Sequence, residues 1–212
     1  MEFTGERVVP GKVEPDLFNE HLARYLYALP LVKGKSVLDL GCGSGYGTFE
    51  LAQSARWALG LDVSLEAIRY ARQTYTAGPL NFLAGNACQI PLADSSLDVI
   101  VSFEVIEHLA EQEQLMREIC RILKPDGILL ISTPNRVFYT EERREVNPYH
   151  TREFDEEEFK RFLGDFFPVV DLHYQNHVDA IFVGSPGKKA EVEVPRQSSD
   201  SLLPATSNFF LA

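Results

Sequence analysis

Residues 36–47 read Ser-Val-Leu-Asp-Leu-Gly-Cys-Gly-Ser-Gly-Tyr-Gly, a short apolar run that empties into alternating glycines. Val37, Leu38 and Leu40 suit a buried strand, with a single acid, Asp39, set inside it. Gly41, Gly43, Gly45 and Gly47 then stand at every second position. Glycine lets backbone come within contact distance of a ligand, because no Cβ blocks the approach and positive φ costs little. Thr48 to Ala52 opens a helix, whose free N–H groups favour polar or anionic ligand groups. Strand, turn and helix make the first unit of a nucleotide-binding α/β domain.

The spacing narrows the ligand. A dinucleotide fingerprint, Gly-x-Gly-x-x-Gly, needs a third glycine for close helix packing. Counted from Gly41 that position is Tyr46, and counted from Gly43 it is Thr48. No lysine follows the glycines, so the phosphate loop ending in Gly-Lys-Ser/Thr is absent too. What stands here is Asp-x-Gly-x-Gly-x-Gly, with an acid that repels a pyrophosphate and suits a ligand bearing a cationic amino group. This loop resembles the cofactor loop of class I S-adenosylmethionine-dependent methyltransferases. The resemblance extends over about residues 1–184.

Composition agrees with one soluble enzyme domain. A chain of 212 residues that is 45% hydrophobic can bury a substantial core. No apolar stretch reaches the roughly 18 residues needed to span a bilayer, and Met1-Glu2-Phe3-Thr4-Gly5-Glu6 has no signal-peptide pattern. Cys42, Cys88 and Cys120 form no CxxC pair, which reads as reduced thiols in a cytoplasmic protein. The net charge of −11 argues against nucleic acid as a partner.

Helix and strand patterns alternate along the chain, as a parallel sheet with crossover helices requires. A helical pattern at 15–29 precedes strands expected at 36–40, 57–61, 80–83, 97–102 and 127–132. Helices fit at about 46–54, 64–74, 105–109 and 111–123, with Lys124-Pro125-Asp126-Gly127 as a stop signal. Two last strands fit 166–175 and 179–184, joined by a short turn and therefore antiparallel. The resemblance implies a Rossmann-like, doubly wound, seven-stranded sheet, mostly parallel with one antiparallel strand. Residues 1–32 or so would form a helical lid on it. Residues 185–212 read as a tail, expected to be disordered, in which only Phe209, Phe210 and Leu211 hint at docking.

Further cofactor residues follow the same order. Asp62 ends the second expected strand at the distance where an acid accepts ribose hydroxyls, and Val63 beside it would line the adenine. Its competing role is a helix cap, for which Ser64 is the better candidate. Asp39 contacts the cofactor directly or through water, or is a buried acid satisfied by the turn. Methyltransferases of this class usually carry Asp where this chain has Asn86, next to Ala87; an amide oxygen still accepts from the adenine amine, but without charge. Asn86 as a plain turn residue has equal standing. After the fourth strand, Phe103 stands where backbone carbonyls usually meet the methionine amino group. The resemblance thus implies a cofactor set of Asp39, Gly41, Cys42, Gly43, Gly45, Tyr46, Asp62, Val63, Asn86, Ala87 and Phe103.

Chemistry is expected just beyond, in Phe103-Glu104-Val105-Ile106-Glu107-His108-Leu109, because parallel sheets bind ligands outside the carboxyl ends of their strands. If this segment is helical from its start, Glu104, Glu107 and His108 share one face. His108 is the natural general base, with Glu107 as its partner; the competing role for both is bracing the helix. Small-RNA 2′-O-methyltransferases and some ubiquinone-pathway enzymes look similar here. The former hold a divalent ion on an acid-acid-His cluster with a later histidine, which would correspond to Glu104, Glu107, His108 and His150. A metal is the less favoured reading, since the acidic charge opposes an RNA substrate.

Between the fifth strand and the next helix, Ser132 to Arg136 and Asn147-Pro148-Tyr149-His150-Thr151-Arg152-Glu153-Phe154 frame a long insertion placed to act as a substrate lid. Asn135, Tyr139, Tyr149 and His150 offer amide, hydroxyls and imidazole to a polar acceptor, or merely turn the chain. Thr4-Gly5-Glu6-Arg7-Val8-Val9-Pro10-Gly11 and Glu20 to Tyr25 resemble lids of sugar- and glycan-modifying methyltransferases. Arg7 and Arg24 are the two candidates for a cofactor carboxylate, the alternative being ordinary surface arginines. The expected reaction is S-adenosylmethionine-dependent O- or N-methylation of a polar small molecule, a sugar or glycan first, with His108 or His150 as base. The alternatives are a metal-assisted O-methyltransferase on a phenol-like or quinone-precursor acceptor, and a cofactor-binding module without catalysis.

Overall fold

The computed structural model describes residues 7–76, 78–142, 144, 146–176 and 209–212. Seven strands form one sheet: β1 (Ser36–Leu40), β2 (Trp57–Asp62), β3 (Leu80–Ala84), β4 (Leu97–Phe103), β5 (Leu123–Pro134), β6 (His173–Gln175) and β7 (Phe209–Leu211). Their order is β3-β2-β1-β4-β5-β7-β6. β7 runs antiparallel to both its neighbours, and the pairs from β3 to β5 are parallel. The expected seven-stranded sheet with one antiparallel strand is what forms.

The central strand explains why the opening stretch is so legible. All five residues of β1 are buried, flanked by β2 and β4. Leu38 and Leu40 are sealed on one face against Leu61, Ile100 and Ile131; Val37 meets the other layer with Ala28, Leu51 and Val99. Burying each such side chain stabilises the fold by about 1.5–3 kcal/mol. Helices α1 (Pro15–Val32), α2 (Tyr46–Ala52), α3 (Leu65–Thr74), α4 (Gln112–Ile122) and α5 (Glu156–Gly164) cover the sheet. In α4, Leu115, Met116, Ile119 and Ile122 recur at helical spacing and are all buried. Ser64 caps α3 by accepting from the Ala67 amide, and Asp155 with Glu158 makes a reciprocal capping box on α5. No helix among the described residues is long and apolar enough to cross a membrane.

Several boundaries differ from expectation for identifiable reasons. β5 begins at Leu123 rather than 127: its register with β4 jumps from Leu97↔Leu123 to Val99↔Ile128, so residues 124–127 bulge out of the ladder instead of ending it. Of the strand expected at 166–175 only His173–Gln175 forms, because the Phe166 and Phe167 amides bond back to the Leu163 carbonyl at the end of α5 and Pro168 follows. The strand expected at 179–184 lies outside the described residues. The slot between β5 and β6 is filled by Phe209–Leu211, which was expected within a tail. Phe210 is fully buried against Phe159 and Tyr174, and Ile131 and Ala212 exchange two backbone bonds of 2.7 and 2.8 Å. Finally, the helix expected at 105–109 is one 3-10 turn, Ile106–His108, entered through Glu104 at φ +56°. That left-handed step separates the Glu104 side chain from the face shared by Glu107 and His108.

Candidate functional site

The glycine turn hangs from β2. Gly41 and Cys42 amides donate to the Leu61 carbonyl at 2.7 and 3.0 Å, and the Gly43 amide donates to Asp62 Oδ2 at 3.0 Å. Two glycines are obligatory here. Gly41 has φ +77° and a Cβ there would strike Val105; Gly43 has φ +52°, and a Cβ there would touch Arg7 Cγ at 3.9 Å. α1 crosses above, with the Tyr25 ring edge-on to Tyr46 and Phe103 at 5.5 and 5.2 Å between centroids. The result is a cavity of about 860 Å³ at the carboxyl ends of β1, β2 and β4.

Nine of the expected cofactor residues line that cavity: Gly41, Cys42, Gly43, Tyr46, Asp62, Val63, Asn86, Ala87 and Phe103. Asp62 is 6% exposed, and its Oδ1 accepts from the Ser64 amide at 2.8 Å while Oδ2 takes Gly43. Each oxygen retains a lone pair for a ligand hydroxyl, and Ser64 carries the helix cap by itself. Val63 is 72% exposed beside it, an apolar platform. The Asn86 side-chain Oδ1 accepts from the Cys88 amide at 2.8 Å, so the turn role is real even though the residue also faces the cavity. Gly45 is packed under Ala71 and Phe82, away from the cavity.

Asp39 does not line the cavity either. It lies beneath the turn, fully buried, accepting from Thr48 Oγ1 at 2.6 Å and from the Tyr25 hydroxyl at 3.3 Å. Burial lifts its pKa to about 7, against the lowering effect of those two hydroxyls, with the Asp62 charge adding to the rise. Those two bonds tie α2 and α1 to β1 beneath the cavity lining.

His108 lines the cavity, and its Nδ1 lies 3.1 Å from the Tyr149 carbonyl. A carbonyl only accepts, so this contact calls for a proton on Nδ1. Glu107 is wholly buried; Oε2 accepts from Thr133 at 3.1 Å, and Oε1 has no partner among the described residues. Burial, then the nearby Glu104 charge, hold the Glu107 carboxyl well above its usual range. His150 sits 5.0 Å from His108 between ring centroids. Both its nitrogens are engaged, Nδ1 with Glu153 at 2.5 Å and Nε2 with Asn147 at 2.9 Å. One ligand atom each from Glu107, His108 and His150 lies within 4.8 Å of the others, an arrangement able to hold a cation; Glu104 is outside it and bonds Ser132 Oγ at 2.7 Å.

Further residues complete the cavity, some of them without a role assigned from the sequence. His21, one turn before Tyr25 on α1, is pushed down to a pKa of about 3 by burial and then by Arg24, so it is a neutral imidazole. Glu104 and Glu111 add acidic walls. Glu153 could have been suspected only from its i, i+3 spacing to His150. Arg24 is 2% exposed, bonded to Gln175, stacked over Phe209 and 3.9 Å from Glu104; it does not line the cavity. Arg7 does, and is the only arginine or lysine among the described residues that line it.

Known proteins give this geometry a context. Residues 38–131 match a family model described as a methyltransferase domain. A probable S-adenosylmethionine-dependent methyltransferase of Mycolicibacterium smegmatis is 39% identical over 165 residues, covering 77% of this chain and 63% of the relative. The chain therefore spans less than two thirds of that protein's length. A malonyl-(acyl-carrier protein) O-methyltransferase of Pectobacterium atrosepticum is 33% identical over 110 residues, covering 52% of this chain and 43% of the relative. In structure, a SAM-dependent methyltransferase from Archaeoglobus fulgidus superposes with a TM-score of 0.67 over 92% of each chain, at 19% identity, a likeness of fold.

Proposed function

We infer that this chain, a member of the class I S-adenosylmethionine-dependent methyltransferases, transfers a methyl group to an oxygen or nitrogen of a polar small molecule, a sugar or glycan hydroxyl first. The observation that carries this reading is His108, which borders the cavity with its Nδ1 set against the Tyr149 carbonyl. Such an imidazole removes a proton from an acceptor hydroxyl near neutral pH.

The residues fit the cofactor by their chemistry: a carboxylate for a diol at Asp62, an apolar platform at Val63, glycine backbone at Gly41 and Gly43, and a cation at Arg7. Bound there, S-adenosylmethionine supplies an already activated sulfonium methyl group. The protein's share is to align the acceptor, exclude water and hold the departing proton on His108. Phe103 and Tyr25 close the inner wall; His21, neutral, and Glu104 offer hydrogen bonds suited to a polyhydroxylated acceptor rather than to a polyanion such as nucleic acid. The unpaired cysteines, Cys42 among them buried, suit the cytoplasm.

A second reading rests on the unpaired Glu107 Oε1 beside His108 and His150. These three would hold a divalent cation once Asn147 releases His150 Nε2, with Tyr149 and Glu153 orienting the imidazoles, and such an ion would acidify an acceptor hydroxyl of a phenol or quinone precursor. A methyl-transfer screen with labelled cofactor against nucleotide sugars, phenols and amines, with and without chelator, separates the readings. Chelator-insensitive transfer to a sugar hydroxyl is the expected result. Transfer to phenols that chelator abolishes favours the metal, and cofactor binding with no transfer to any class would leave a non-catalytic module.

A further inference from the structure

The N-terminal strap, residues 7–13, is fixed onto the glycine turn. Val8 and Val9 are buried, and Ser44 Oγ donates to the Val8 carbonyl at 2.7 Å. Arg7 leaves this strap with its Cγ over Gly43 and its guanidinium 3.7 Å from Asp62 Oδ1. That distance is an ion pair without a hydrogen bond, and the Arg7 side chain stays 34% exposed. Asp62 has one oxygen committed to the Gly43 amide and the other to Ser64. Its remaining lone pairs are what both Arg7 and a ribose diol require.

We propose that Arg7 is a latch that sets the ligand selectivity of this cavity. Its guanidinium and the ribose hydroxyls of a nucleoside compete for the Asp62 carboxylate, and a ligand carrying an amino-acid carboxylate relieves that competition by drawing the guanidinium onto itself. This rests on the S-adenosylmethionine reading of the cavity. Three observations point the same way. Arg7 is the only arginine or lysine among the described lining residues, so an anionic group has no other permanent cation to meet. Its hold on Asp62 is loose, whereas a planar guanidinium takes a free carboxylate in two parallel bonds. And Arg24, the other candidate, does not line the cavity: it is 2% exposed, bonded to Gln175 and stacked over Phe209.

The latch makes nucleosides without a carboxylate poor ligands, and it does so by occupying their anchor. Titration calorimetry of the wild-type chain and of Arg7→Met, with S-adenosylhomocysteine and with 5′-methylthioadenosine, tests this. Methionine keeps an unbranched stem over Gly43 and removes the charge. The expected result is that S-adenosylhomocysteine weakens by roughly tenfold or more, while 5′-methylthioadenosine binds a few-fold better; an unchanged 5′-methylthioadenosine affinity would overturn the competition for Asp62. Equal weakening of both ligands would reduce Arg7 to a support for the turn, and unchanged affinities would remove it from recognition; either overturns the latch alone. A wild-type chain that binds neither compound overturns the cofactor reading, and the latch with it.

Discussion

Asp39→Asn offers a measurement whose sign and size follow from burial. The Asp39 carboxyl is completely enclosed, and that enclosure raises its pKa from 3.8 to about 7 despite bonds from Thr48 and Tyr25. A carboxyl whose folded pKa lies above its unfolded value gives stability that is complete below about pH 4 and is lost as pH rises through about 7. At about 1.4 kcal/mol per pKa unit, the shift lowers stability by about 2 kcal/mol at pH 5, where only the unfolded chain is ionised, and by about 4 kcal/mol at pH 8, where both states are. Asparagine has the same shape and no charge, and either hydroxyl can turn to accept from its amide. The unfolding free energy of the variant relative to wild type should therefore rise by about 2–3 kcal/mol between pH 5 and pH 8. Urea unfolding of both proteins at the two pH values, at constant ionic strength, reads this difference directly. Other titrating groups, Glu107 with its similarly raised carboxyl and Asp98 held down at about 2 by Lys124, act in both proteins and cancel. A difference independent of pH would refute the account of Asp39 as an acid kept protonated by burial.

Asp62→Ala should raise the dissociation constant for S-adenosylhomocysteine about tenfold or more, about 1.4 kcal/mol, in calorimetry; unchanged affinity would end its role with the ribose. His108→Ala should lower turnover by roughly 10²–10⁴ on whichever acceptor the screen returns and leave S-adenosylhomocysteine affinity unchanged, whereas full activity would pass the proton to another group or to solvent. Phe210→Ala, at a fully buried position of β7, should cost about 3–5 kcal/mol in urea unfolding, and an unaltered midpoint would mean that β7 contributes nothing to the sheet.

Most of the sheet was legible because its strands are short apolar runs between clear punctuation. β1 to β4 and helices α1 to α4 fall within a few residues of expectation. The glycine turn and Asp62 were legible as well, since a close backbone approach and an acid at a strand end are local requirements. Two of the misreadings share one cause. β5 begins early because its pairing with β4 tolerates a bulge, and β7 comes from Phe209–Leu211 because those residues found an open slot beside β5. Partner strands, not local pattern, decided both.

The same division runs through the site. Sequence by itself placed Gly41 and Gly43 in a turn after a buried strand and Asp62 at the end of the next strand, because turn chemistry is written in adjacent residues. Only the tertiary structure set Asp39 beneath the cavity lining, left Glu104 out of the cluster of Glu107, His108 and His150, and set Arg7 against Asp62. Burial, tautomer and charge pairing depend on which atoms surround a group, and those neighbours come from distant parts of the chain.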